Sequence, residues 1–207
     1  MGATPRRQAT EADFWAIPEA VRHHELVGGE LLEKAAPSGE HGGAQFGIAA
    51  SISAFQRPAA KGGPGGWWFG SEIEVRLKTG EIVRPDVLGW RRERCPQRPT
   101  GTPVEVTPDW ICEIISQSNA SDDTVKKRRA YHPNAIPHDW LLDPGPGTRT
   151  VLRRSADGYI TVLSAERGET VRAEPFDAIE LPAAALFGGD PIAVADADLM
   201  NICFRLS

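Results

Sequence analysis

Residues 81 to 127 hold the side chains best suited to chemistry. Arg84-Pro85-Asp86 lies in a strand-like run, and Asp109-Trp110-Ile111-Cys112-Glu113-Ile114-Ile115 is an apolar strand interrupted by one acid. Asp122 to Tyr131 then forms a polar helical run that carries Lys127. Carboxylates placed among strand residues are costly to bury unless something neutralises them. A divalent cation would neutralise them, and a lysine on the next element would then face a bound anion. Two acids and a lysine so placed point to a divalent-metal phosphodiesterase site. Such hydrolysis needs a cation on the phosphate, an activated water, and an offset for charge building on the phosphoryl and leaving oxygens. Asp86 and Glu113 are the candidate metal ligands, and Lys127 supplies positive charge. Lys126 and Lys127 point about 100° apart around a helix, so only one faces the acids well. Lys127 shares a face with Tyr131. Acids and lysines are common; the placement of Glu113 in an apolar strand is what singles this set out.

The surrounding pattern predicts the elements that position these groups. Thr10-Glu11-Ala12-Asp13 resembles a capping box and starts a short helix ended by Pro18. His23 to Val27, the Gly28-Gly29 turn and Glu30 to Glu33 read as strand, turn, strand. Two readings stand for Glu25 in the first strand: a solvent-facing position, or a third carboxylate at the metal. Pro37 to His41 reads as a helix entry, followed by a core stripe of Phe46, Ile48, Ala49, Ile52 and Phe55. His41 is either a cap residue or a contact to phosphate or carboxylate. Lys61 to Gly66 is a flexible connector. Trp67 to Leu77 and Ile82 to Trp90 read as two arms of a hairpin, with an edge or bulge expected at Pro85 because proline cannot donate to the ladder. Arg91 to Thr107 is a basic loop. The helix from Asp122 to His132 is ended by Pro133. A strand from His138 to Leu142, a hairpin of Val151–Arg154 with Tyr159–Leu163, a strand near Val171–Glu174 and a short helix ending near Phe187 complete the domain.

The chain has 207 residues and a net charge of −5. That length supports one sizeable core. The charge argues against tight nonspecific nucleic-acid binding by the whole surface, while leaving room for a local basic groove. Arg91, Arg92, Arg94 and Arg98 form one basic cluster and Lys126 to Arg129 another. Cys95, Cys112 and Cys203 show no C-x-x-C spacing, so no zinc site is expected, and reduced thiols in a cytoplasm are the simple reading. No apolar run approaches the roughly 20 residues of a membrane span. There is no Walker loop and no Gly-x-Ser-x-Gly.

Taken together, several motifs resemble the Uma2 family of restriction-endonuclease-like proteins, from about Thr10 to Phe187. They are His24-Glu25-Leu26-Val27-Gly28-Gly29-Glu30-Leu31, Pro37-Ser38 with His41, Val83-Arg84-Pro85-Asp86-Val87, and Pro108-Asp109-Trp110 leading to Glu113-Ile114-Ile115-Ser116. Asp123, Lys127 and Tyr131 follow, then Trp140-Leu141-Leu142-Asp143-Pro144. The resemblance implies an α/β domain over residues 10–187 with a central mixed sheet flanked by helices; the polar, basic start at 1–9 reads as a disordered, frayed terminus, and the tail at 188–207 lies outside the resemblance and is unassigned. It implies Mg²⁺ or Mn²⁺ held by Asp86, Glu113 and Glu25, with the Ile114 carbonyl as a further ligand, and DNA as substrate. Ile115 stands where the superfamily usually has its lysine, so the lysine is carried over to Lys127. His41 and Lys126 are the candidates for substrate contact. Ser116-Gln117-Ser118-Asn119, Ala135-Ile136 and Pro133 depart from the family pattern and bear on loop shape. The rival expectation is a non-catalytic nucleic-acid- or protein-binding module on the same fold. An exposed hairpin edge could also pair two copies into a homodimer.

Overall fold

Thr10 caps α1 (Glu11–Trp15) in a full capping box with Asp13, and Phe14 is the residue this helix buries. The computed structural model describes residues 7–59, 64–116 and 122–188. Ala9 donates its N–H to the Gly29 carbonyl, tying the start of this stretch to the turn between β1 (His24–Val27) and β2 (Glu30–Glu33). That turn is Gly28-Gly29, both left-handed with φ +57° and +76°, as a two-residue hairpin requires.

The two predicted hairpin arms are each broken in the middle. The first runs as β3 (Trp67–Gly70) and β4 (Val75–Arg76), the second as β5 (Ile82–Val83) and β6 (Val87–Arg91). Two local features cause the break. Pro85 has no N–H to give a ladder, and Glu72 takes a left-handed φ of +53°. Glu72 donates its N–H to the Pro85 carbonyl across the bend. The register does not slip: Gly70 faces Leu88 and Val75 faces Val83. Carried through the bend, it sets Glu72 opposite Asp86. The inner half of the hairpin joins a four-stranded sheet ordered β2-β1-β5-β4.

The outer half joins a six-stranded sheet with β7 (Trp110–Ile114), β8 (His138–Asp143), β9 (Thr148–Arg154) and β10 (Tyr159–Glu166), in the order β10-β9-β8-β7-β6-β3. Among the described strands of this sheet only β7 and β8 run parallel, with α3 (Asp122–Tyr131) in the crossover between them, as parallel neighbours require. The sheet is therefore mixed, as expected. One face carries Trp110, Cys112, Ile114, Trp140, Leu142 and Val151. It packs under α2 (Gly39–Ser51), Phe176 and α4 (Ala183–Leu186). The other face presents Leu88, Trp90 and Ile111 to Tyr131, Ile136 and the second core. Alternation along the strands puts Glu113 and Asp139 on this second side. Two-residue strands β11 (Thr170–Val171) and β12 (Leu181–Pro182) pair with each other, a smaller arrangement than the strand expected over 171–174.

The stripe expected on α2 is corrected. Phe46 is 76% exposed and Ala49 is also exposed, while Ala44, Gly47 and Ile48 are buried. The helix is set by its contact with α4: a Cβ on Gly47 would lie 2.3 Å from the Ala185 carbonyl oxygen. That close approach fixes which arc faces inward and turns Phe46 out. The basic loop after β6 is largely structural. Arg92 Nε donates to the Trp67 carbonyl (3.1 Å), Arg98 donates to the Phe69 carbonyl (2.9 Å), and Arg94 pairs with Asp109 (2.8 Å). Cys95 and Cys112 are free thiols. Among the described residues no helix is long and apolar enough to cross a membrane. Residues 1–6 of the expected frayed terminus, 61–63 of the glycine connector, the loop at 117–121 and residues 189–207 with Cys203 lie outside the described residues.

Candidate metal-binding and nuclease site

Glu25, Asp86, Glu113, Ile114, Lys127 and His41 all line one cavity at the bend of the hairpin. Three elements deliver the acids. Glu25 comes from β1, Asp86 from the turn into β6, and Glu113 from the interior strand β7. All three acids are buried, so each must be neutralised or hydrogen-bonded.

Asp86 is held from both sides. Its Oδ2 accepts the N–H of Ile114 (2.7 Å) across the β6–β7 pair. Its Oδ1 faces Lys34 Nζ (2.9 Å) and His41 Nε2 (3.3 Å). Gln45 donates to its main-chain carbonyl at 2.9 Å. Burial works against its ionisation, but the His41 bond and the Lys34 ammonium outweigh burial and hold the carboxyl well below the usual carboxylate range. Glu25 Oε1 accepts the N–H of Arg84 (2.6 Å), a main-chain donor left over where β5 ends. Glu25 Oε2 pairs with Lys127 Nζ at 2.7 Å.

Glu113 takes both Lys127, whose Nζ is 3.3 Å from each carboxylate oxygen, and the hydroxyl of Tyr131. The helical spacing of Lys127 and Tyr131 thus converges on one acid, as the shared face predicts. Burial pushes the Glu113 carboxyl up to about 7; Lys127 opposes this, while Asp86 and Glu25 add to it. Burial disfavours the Lys127 ammonium, yet Glu113 and Glu25 raise it above the ordinary lysine value. Lysine thus stays charged, and the shared site resists holding all its acids ionised.

Lys126 turns elsewhere. Its Nζ pairs with Glu30 at 2.8 Å, and it does not line the cavity. His41 lies in the first turn of α2, where Ser38 caps the helix, and its imidazole reaches Asp86.

Three further residues join the site without having been read from the sequence. Lys34, after β2, bonds Asp86, both oxygens of Glu72 and the Arg84 carbonyl. Glu72 stands at the bend, and its carboxylate, Asp86 and His41 each offer a ligand atom within 4.8 Å of the others. Asp139 lines the cavity from β8, with Arg128 Nε at 3.5 Å. Burial pushes its carboxyl up to about 7 against the pull of Arg128. Asp139 carried a usable signal, since it is an acid in the apolar run of β8 just as Glu113 is in β7. Lys34 and Glu72 carried none, because their position depends on a bend that the strand pattern does not reveal.

Most of the donors are hard carboxylate oxygens, joined by one borderline imidazole, a set compatible with a Mg²⁺- or Mn²⁺-type ion. The sequence matches the Uma2 family, described as "putative restriction endonuclease", over residues 12–184. The fold is similar to the crystal structure of a putative nuclease belonging to DUF820 from Anabaena variabilis. The two share 21% identity with a TM-score of 0.70, over 86% of this chain and 97% of that one. No curated protein matches this chain.

Proposed function

The chain belongs to the Uma2 family, and from that premise we propose that it is a divalent-metal-dependent endonuclease that hydrolyses DNA phosphodiester bonds. The observation that carries this reading is the convergence of Glu25, Asp86, Glu113 and Lys127, from four different elements, on one cavity. A binding module has no need to bury three acids against two ammonium groups, Lys127 and Lys34, because each buried charge is costly unless paired.

In this reading Asp86 and Glu113 hold the ion, with Glu25 and the Ile114 carbonyl as further ligands. A bound Mg²⁺ or Mn²⁺ supplies charge to the phosphate oxygens and acidifies a water. The hydrogen bond from Ile114 orients Asp86, so its carboxylate needs little reorganisation on loading. Lys127 is fixed by Glu25 and Glu113 and stabilises charge developing on the phosphoryl group. Tyr131 locks Glu113 in place. His41 contacts the substrate at the cavity, and Lys126, paired with Glu30 outside it, contacts the DNA backbone beyond the reacting phosphate.

The test is relaxation of supercoiled plasmid DNA with Mg²⁺ or Mn²⁺. Nicking is expected to stop in EDTA and to fall by about a hundredfold or more in Asp86→Ala. Equal nicking by the variant and the parent would trace the activity to a contaminant and remove the reading.

A further inference from the structure

Lys34 is held much as a metal ion would be. Its Nζ lies 2.9 Å from Asp86 Oδ1, 2.8 Å from the Arg84 carbonyl oxygen and 3.1 Å from each oxygen of Glu72. These oxygens come from both sides of the hairpin bend and form a cage around one positive charge. The ligand atoms of His41, Glu72 and Asp86 lie within 4.8 Å of one another. That spread is close to what one ion gathers with ligands at roughly 2.0–2.6 Å. The same Asp86 Oδ1 cannot serve an ammonium and a divalent ion together without forcing two cations into contact.

The surroundings provide an exit. Lys34 forms a wall shared between the site and a second cavity lined also by His23, Gln45 and Arg84. The Lys34 side chain is 18% exposed, against 9% for Lys127, which does not reach that second cavity. Arg84 Nε, 3.3 Å from Glu72, stays behind to neutralise that acid when the ammonium leaves.

We propose that Lys34 is a displaceable counter-ion. A divalent ion arriving at Asp86 takes over the oxygen cage, with Glu72 as an added ligand, and expels the Lys34 ammonium into the neighbouring cavity. There the freed ammonium is positioned to meet a phosphate of the substrate. The metal-free site is thereby kept neutral by its own lysine, and loading converts that lysine from a structural partner into a substrate contact. The inference rests on the reading of Asp86 as a metal ligand.

Two measurements on the full chain test it. The first is calorimetric titration with Mn²⁺ of the parent, Lys34→Met and Asp86→Ala. Removing the competing charge is expected to tighten Mn²⁺ binding by about tenfold or more in Lys34→Met. The second needs no variant: acetylation of Lys34 by an N-hydroxysuccinimide ester, followed by mass spectrometry, in EDTA and in saturating Mn²⁺. Lys34 should react several times faster with Mn²⁺, while Lys127 keeps its rate. Lys34→Gln replaces Lys34→Met in the titration should the latter melt early. Mn²⁺ binding lost in Asp86→Ala, with Lys34 reacting equally in both conditions, overturns the displacement and leaves the endonuclease reading standing. Unchanged affinity in the Lys34 variants overturns it as well. No Mn²⁺ binding by the parent or any variant removes both readings together.

Discussion

Lys127 reaches the site from α3 and is closed in by Glu25 at 2.7 Å and Glu113 at 3.3 Å, with Tyr131 packed alongside. Lys34 reaches it from the chain after β2 and touches Asp86 and Glu72 beside a second cavity. Each ammonium neutralises two carboxylates, but the two have different freedom. The α3 half is the more deeply buried charge network, and its members depend on one another. The hairpin half is bounded by groups that Arg84 and His41 can also satisfy. The acids differ accordingly: Asp86 is held well below the usual carboxylate range, while burial pushes Glu113 and Asp139 up to about 7. Charge-pair count alone does not describe such a site; access to water decides which pair is structural and which can exchange.

The largest test of this contrast removes each lysine in turn. Lys127→Met leaves Glu25 and Glu113 buried without their cation, and a loss of about 3–5 kcal/mol is expected in urea denaturation with EDTA present. Lys34→Met should lose less than about 2 kcal/mol, because its cage lies nearer to solvent and Arg84 remains. Equal losses would erase the distinction.

The pH dependence sharpens it. A carboxyl whose folded pKa is raised keeps a proton that the unfolded chain releases, so it favours folding at acid pH. That contribution fades as pH rises from about 4 to about 7. Asp86, with its lowered pKa, works in the opposite sense: it contributes above the ordinary carboxylate range and loses that contribution as pH falls below it. Metal-free Asp139→Asn should therefore lose about 1–3 kcal/mol less than the parent between pH 5 and pH 8, read from denaturation midpoints. An identical slope would show that Asp139 is ionised in the folded protein.

An effect of similar size is expected at the support of His41. Gly47→Ala pushes α2 off α4 and should destabilise by about 1–3 kcal/mol. Phe46→Ser, on the exposed side of the same helix, should change stability by less than about 0.5 kcal/mol. A large loss for Phe46→Ser would show that this face is covered in solution.

Much of the α3 half was legible because its signals are local. An acid in an apolar strand flags Glu113, and helical spacing joins Lys127 to Tyr131. The hairpin half was legible at Asp86, where Pro85 marks an interruption, and at His41, one of whose two readings was a carboxylate contact. Glu72 and Lys34 enter through the bend itself, and the bend arises from a left-handed residue that has no glycine to announce it. The Phe46 stripe failed for a related reason. Several apolar residues on a short helix allow more than one inward arc, and the choice between them was made at Gly47 by α4, far along the chain. By composition the basic loop reads as a solvated face more readily than as a nucleic-acid contact, and its arginines are instead engaged with main-chain carbonyls and Asp109.

Those arginines also decide how copies of this molecule can meet. β3 is a margin of the six-stranded sheet, and its outward carbonyls at Trp67 and Phe69 already accept guanidinium donors, with Arg92 stacked 3.5 Å over the Trp68 ring. A visiting strand would have to evict both cations before it could zip on. Any self-association by sheet extension would therefore fall to the opposite margin, β10.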